Sequence, residues 1–108
     1  MPQLPGNPNL QIIAGVDRLI HEPARLMIVA VLHNVESADF TFLLSQTGMS
    51  RGNLSSHLSK LEMAGYIAIQ KEFVEKIPHT QLSLTSKGRQ AYLAYRRSLA
   101  GMLAVLGE

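Results

Sequence analysis

The chain has 108 residues, 46% of them hydrophobic and 17% charged, with a formal net charge of +2 and no cysteine. That length argues for one domain, and the apolar content supplies a core and excludes a disordered polymer. Disulfides and thiolate metal sites are excluded, and no run approaches the roughly 20 apolar residues of a membrane span.

Residues 1–8 hold three of the five prolines and read as a flexible arm, leaving 9–108 as a single domain. The opening MPQLPGNPN lacks the layout of a signal peptide, so a cytoplasmic protein without a membrane partner is expected. A first helix is predicted over Leu10 to Ile20, with Leu10, Ile13, Val16, Leu19 and Ile20 along one side. Pro23 suits the first position of a second helix running to about Asn34, with Leu26, Val29, Ala30 and Leu32 suited to burial. Glu36 to Asp39 is a polar break.

Leu43 to Ile67, reading LLSQTGMSRGNLSSHLSKLEMAGYI, is the most informative stretch. Phe40 to Thr47 forms a helix with Phe40, Leu43 and Leu44 inward and Asp39 as its cap. Gly48 can take the positive φ that ends it tightly, and Ser50 can cap the next helix, Arg51 to Ala64, which stops at Gly65. On that helix Leu54, Leu58 and Leu61 share one face, while Gly52, Asn53, Ser56, Ser59 and Lys60 form a slim polar face. Such a helix suits a major groove about 12 Å wide.

Tyr66 to Phe73 and Thr80 to Leu84 alternate as two antiparallel strands, joined by a loop around Glu75 to His79 with a turn at Ile77-Pro78. Thr85 caps a last helix, about 85–106, on which Tyr92, Tyr95, Leu99, Met102 and Leu106 repeat at heptad spacing. A helix of about 30 Å cannot bury all its sides on so small a body, so this seam is predicted to be unshared within the chain.

The order of two helices, a helix-turn-helix, a hairpin and a long helix is a winged helix, a mainly α fold with a small β-hairpin (α+β). IHEPARLMIVAVL (20–32), GMSRGNLSSHLSKLEMAGYI (48–67) and KEFVEKIPHTQLSLTSKGRQAY (71–92) resemble small bacterial and archaeal regulators related to the ArsR and MarR families. The resemblance implies a homodimeric DNA-binding transcriptional regulator that dimerises through its terminal helices. The interface residues are then expected to be Leu10, Ile13, Tyr92, Tyr95, Leu99, Met102, Leu103 and Leu106. The wing departs from the usual pattern: in place of several arginines and a glycine, its tip reads Val74-Glu75-Lys76-Ile77-Pro78-His79, and Glu75 would repel phosphate. The recognition helix also lacks the cysteine motif of metal-sensing members.

Charge agrees with this assignment. Residues 1–47 carry two arginines against four acids, a balance of −2, while residues 48–108 carry eight cations against four acids, a balance of +4. This points to a polyanion partner, with ordinary surface charge as the alternative. Arg51 can reach phosphate or the guanine O6/N7 edge, and Ser50, Asn53, Ser55, Ser56 and Ser59 offer short hydrogen-bonding groups. Lys60, Lys71, Lys76 and His79 are candidate phosphate contacts.

His57 falls beside the leucine stripe and reads as a satisfied, partly buried histidine; His21 and His33 read as structural. Tyr92 and Tyr95 suit packing, or alternatively a ligand pocket, while Arg96 and Arg97 belong to a dimer rim or lie beside DNA. No phosphate loop, HExxH or nucleophile elbow appears, so neither an enzyme nor a cofactor is expected. The alternative function is a winged helix used as a protein–protein interaction module or adaptor, without specific DNA binding.

Overall fold

In the computed structural model, residues 6–107 are described and span 63 × 31 × 26 Å. The predicted arm lies mostly outside the described residues. Of its last three, Asn7 caps α1 (Pro8–Ala14) by accepting a hydrogen bond from Asn9 N at 2.9 Å. This helix is shorter than the apolar periodicity suggested. Gly15 ends it, and the Asp17 carboxylate then accepts bonds from Leu19 N (2.9 Å) and Ile20 N (3.2 Å). Val16 and Ile20 are buried all the same, delivered by a capped turn and not by a continuing helix.

α2 (Pro23–His33) starts with proline at its first turn and Glu22 as its cap, and it buries Ile28, Val29 and Leu32. The polar break turns out to contain a short strand, β1 (Ala38–Asp39), paired antiparallel with Leu82 and Gln81. α3 (Phe40–Thr47) and α4 (Arg51–Met63) form the helix-turn-helix. Asp39 accepts from Phe42 N and Ser50 from Asn53 N, and Gly48 sits at φ 71° between the two helices, as its lack of a Cβ allows.

The hairpin is longer and tighter than expected. β2 (Ile67–Val74) pairs in register with β3 (Ile77–Leu84), from Ile67 opposite Leu84 to Val74 opposite Ile77. Only Glu75 and Lys76 form the turn, both at positive φ (52° and 67°), the backbone of a type I′ hairpin. Pro78 therefore lies in β3 and not in a turn. It is tolerated because β1 covers only Leu82 and Gln81 on that side, leaving the strand an open edge at Pro78.

α5 (Ser86–Leu106) is capped by the Thr85 hydroxyl, which accepts from Gly88 N and donates to Gly65 O at 2.6 Å. Gly88 is buried, and a Cβ there would stand 2.0 Å from the Tyr66 carbonyl oxygen, so only glycine lets α5 approach this closely.

Two apolar clusters hold these elements. The larger joins Ile28, Val29, Leu32, Leu43, Leu54, Leu58, Leu61, Ile67 and Leu82 from α2, α3, α4 and the sheet. The smaller joins Val16, Ile20, Tyr95 and Met102, with Ile13, Leu26 and Leu99 packed against it. This corrects the prediction of an unshared seam: α1 and the turn after it fold back along α5, so Tyr95 and Met102 are only 3% and 6% exposed within one chain. Tyr92 and Leu99 are likewise partly covered by their own chain. Of the predicted interface residues, Leu10, Leu103 and Leu106 stay exposed, at 53%, 61% and 62%.

Candidate nucleic-acid interface

The leucine stripe of α4 faces inward, which leaves the other side of the helix bare. Leu54, Leu58 and Leu61 are buried, while Ser50, Arg51, Asn53, Ser55, Ser56, Ser59 and Lys60 are all exposed. None of the serine hydroxyls on that face is drawn into the core. Ser50 accepts from Asn53 N, an N-terminal cap that keeps its own hydroxyl hydrogen free to donate.

Beside this helix runs a groove of about 350 Å³ between α4 and the wing, lined by Phe40, Arg51, Ser55, Leu58, Ser59, Ile69, Lys71, Thr80 and Leu82. Among the described residues, two cations and three hydroxyls face it and no carboxylate does. A second hollow of about 300 Å³ continues from it through Phe40, Arg51 and Thr80 to Pro78 and His79, and the Asp39 carboxylate lines it as well. Of the predicted site residues, the fold thus brings together Arg51, Ser55, Ser59, Lys71 and His79. Ser50, Asn53, Ser56 and Lys60 remain on the open face of α4, outside both hollows, and Lys76 stands apart in the wing turn.

Two contributors lie outside the predicted site residues. The Arg51 guanidinium lies over the Phe40 ring, 5.5 Å from its centroid, so Phe40 steers this arginine besides packing on the core. Thr80 lines both hollows; in the sequence it was only a polar position in a strand, and no local pattern marks it.

Behind the face, polar contacts fix how α4 sits on the body. Arg25 donates through Nη1 to His57 Nδ1 (3.2 Å) and through Nε to Leu19 O (2.6 Å). Arginine has no acceptor, so His57 Nδ1 must accept, which places the ring proton on Nε2. Glu22 Oε2 stands 3.8 Å from Arg25 and 3.7 Å from His57. Burial disfavours ionised Glu22, but the backbone N–H groups of Arg25 and Ala24 and the Arg25 charge outweigh it and hold its carboxyl below the usual range.

At the far end of α4, Tyr66 donates to Asp17 Oδ2 at 2.6 Å, and burial together with that carboxylate pushes its phenol up to about 12. His21 and His33 are held within the fold. His21 bonds the Tyr95 hydroxyl at 2.8 Å, and His33 accepts from Arg89 at 3.1 Å. Among the described residues no group of three or more His, Asp or Glu is placed to hold a metal ion, and no helix is long and apolar enough to cross a membrane.

A helix-turn-helix with an exposed polar second helix, flanked by a β-hairpin and a cation-lined groove, defines a winged helix of the nucleic-acid-binding kind. The family described as winged helix DNA-binding domain matches residues 24–103, and the chain belongs to it. It is 31% identical over 78 residues to an uncharacterized protein of Methanocaldococcus jannaschii, a match covering 72% of this chain and 85% of that protein.

Among solved structures it resembles a transcriptional regulator homologue from Pyrococcus horikoshii OT3 (TM-score 0.74, 26% identity, 92% of this chain and 94% of that one). It also resembles CouR, a transcriptional repressor bound to a 23-mer DNA duplex (TM-score 0.68, 23% identity, 85% and 62%). A MarR family regulator from Silicibacter pomeroyi shares the fold as well (TM-score 0.61, 21% identity, 90% and 62%).

Proposed function

We propose that the chain is a transcriptional regulator that binds double-stranded DNA in a sequence-specific manner as a homodimer. The observation that carries this reading is the serine- and arginine-bearing face of α4, left uncovered beside a groove that holds cations and no carboxylate. In the proposed complex α4 enters the major groove. Arg51, Asn53, Ser56 and Ser59 face base edges or nearby phosphates, and Lys60, Lys71, Lys76 and His79 attract the backbone. Kinship in fold with a repressor solved on a DNA duplex supports duplex DNA as the partner.

Dimerisation is proposed on the exposed Leu10, Leu103 and Leu106, at the ends of α1 and α5. A second copy placed there would cover apolar surface the chain itself leaves in water. It would also offer two recognition helices to half-sites about 34 Å apart on one face of the duplex.

Selection from random duplex DNA tests the reading. Enrichment of a palindromic site, lost on Arg51→Ala with unchanged melting, is expected; failure to enrich any sequence would refute it. Light scattering tests the assembly: a dimer is expected, and Leu103→Asp with Leu106→Asp should give a folded monomer. A monomeric parent protein would remove the dimer from the reading and leave the DNA face standing.

A further inference from the structure

The tip of the wing is apolar and uncovered. Phe73 is 76% exposed, Ile77 is 59% and Val74 is 48%. Phe73 lies directly across the ladder from Pro78. Side chains alternate along a strand, so Phe73 shares its face with Ile69 and Lys71, both of which line the groove beside α4, while Glu72 falls on the opposite face. Phe73 therefore continues the cation-lined wall, about 7 Å beyond Lys71. The hairpin that presents it is stiff, an eight-pair ladder closed by a two-residue turn. In that turn Glu75 and Lys76 are adjacent and of opposite charge, so the tip carries no net charge of its own.

We propose that Phe73 and Pro78 form an apolar wedge that enters the minor groove next to the recognition helix and bends the duplex there. The inference rests on the DNA reading of the α4 face. With α4 in the major groove, the neighbouring phosphate strand meets Lys71 and Thr80, and the next surface outward is the minor groove, where the Phe73–Pro78 pair projects. Phenylalanine and proline are residue types that pry base steps apart from that side, kinking DNA by about 20–90°. Specificity at that position comes from how easily the step deforms, so flexible pyrimidine–purine steps are favoured there. The wing needs no arginine for this, which accounts for a tip that is poor in cations yet continuous with the groove.

The test uses the full chain and the duplex it enriches from a random pool, labelled at both ends for energy transfer. The parent protein is expected to bend the duplex by at least about 20°. Phe73→Ser should weaken binding about tenfold, straighten the duplex and leave the salt dependence unchanged, since no phosphate contact is lost. Phe73→Leu should keep the bend. Lys71→Ala should keep the bend but reduce the salt slope by about one per protomer.

A straight duplex under the parent protein, or Phe73→Ser that binds and bends as the parent does, overturns the wedge. The latter result would mark the tip as a surface for another protein. In both cases the DNA reading survives, whereas a parent protein that binds no duplex sinks both together.

Discussion

The cations exposed on α4 and the wing determine how steeply salt should weaken duplex binding. Arg51, Lys60, Lys71 and Lys76 are all exposed, so four phosphate contacts per protomer are available. B-DNA releases about 0.9 counterion per phosphate neutralised, so the slope of log affinity against log salt is about −3.6 for one protomer and about −7 for two. Between about 50 and 200 mM salt, a single protomer loses about 150-fold in affinity and a dimer about 10⁴-fold. Fluorescence anisotropy titrations on the selected duplex across that range separate the two cases.

Lys71→Ala should make the dimer's slope shallower by about 1.8, one contact per protomer. Asn53→Ala should lower affinity and leave the slope unchanged, because an amide neutralises no phosphate. A parent slope shallower than about −2, or a Lys71→Ala slope equal to the parent's, would refute the assignment of these cations to the phosphate backbone.

Three further outcomes are expected. Gly88→Ala forces a Cβ to within 2.0 Å of the Tyr66 carbonyl oxygen, a backbone atom that cannot step aside. Strain of up to about 3 kcal/mol, less about 1 kcal/mol of helix propensity gained, should lower Tm by about 10 °C; an unchanged Tm would contradict the close approach of α5 to the Tyr66 backbone. Tyr66→Phe removes the bond to Asp17 and should cost about 1.5 kcal/mol in urea unfolding at neutral pH. Because the folded-state value of about 12 lies above the ordinary phenol, the Tyr66 contribution is present below pH about 10 and lost as pH rises towards 12. The loss of parent stability over that range should be smaller in Tyr66→Phe. Glu22 has the opposite sign: its lowered value adds stability above the usual carboxylate range that is lost as pH falls through its folded-state value. Glu22→Gln should flatten the acid side of the stability profile, and a profile parallel to the parent's would show that the network under α4 is not stabilised by this charge.

Features that depend on neighbours in sequence were legible before any fold was known. Asp39, Ser50 and Thr85 each cap the helix expected of them, because a cap needs only a short oxygen-bearing side chain and the N–H two or three residues on. The leucine stripe of α4 was plain for the same reason. Local reading failed where two signals overlapped. Apolar spacing runs on past Gly15, so α1 was extended through a turn that buries Val16 and Ile20 by another route. Glu75-Lys76 lacks the Asn-Gly or Asp-Gly signature of a type I′ turn, so the sequence predicts a longer loop than the fold has. β1 is two residues long and carries no period at all.

The seam on α5 and the face of α4 show what periodicity can and cannot reveal. A repeat states that a stripe is apolar; it does not state whose atoms cover it. Tyr95 and Met102 had the spacing of an interface between subunits, yet α1 and the turn after it, more than 70 positions away in sequence, already cover them. The polar side of α4 carries the reverse inference, and with more force. Nothing else among the described residues covers it, although α2, α3 and the sheet are all close enough to bury the leucines on its other side. Arg51 is held over Phe40, and Lys71 and Thr80 are carried to it by a wing whose register no local pattern announces. A surface built from three separated elements and left open to water is accounted for by a partner outside the chain. Its hydroxyls and cations suit a polyanion with groove-edge donors and acceptors, which is the chemistry of duplex DNA.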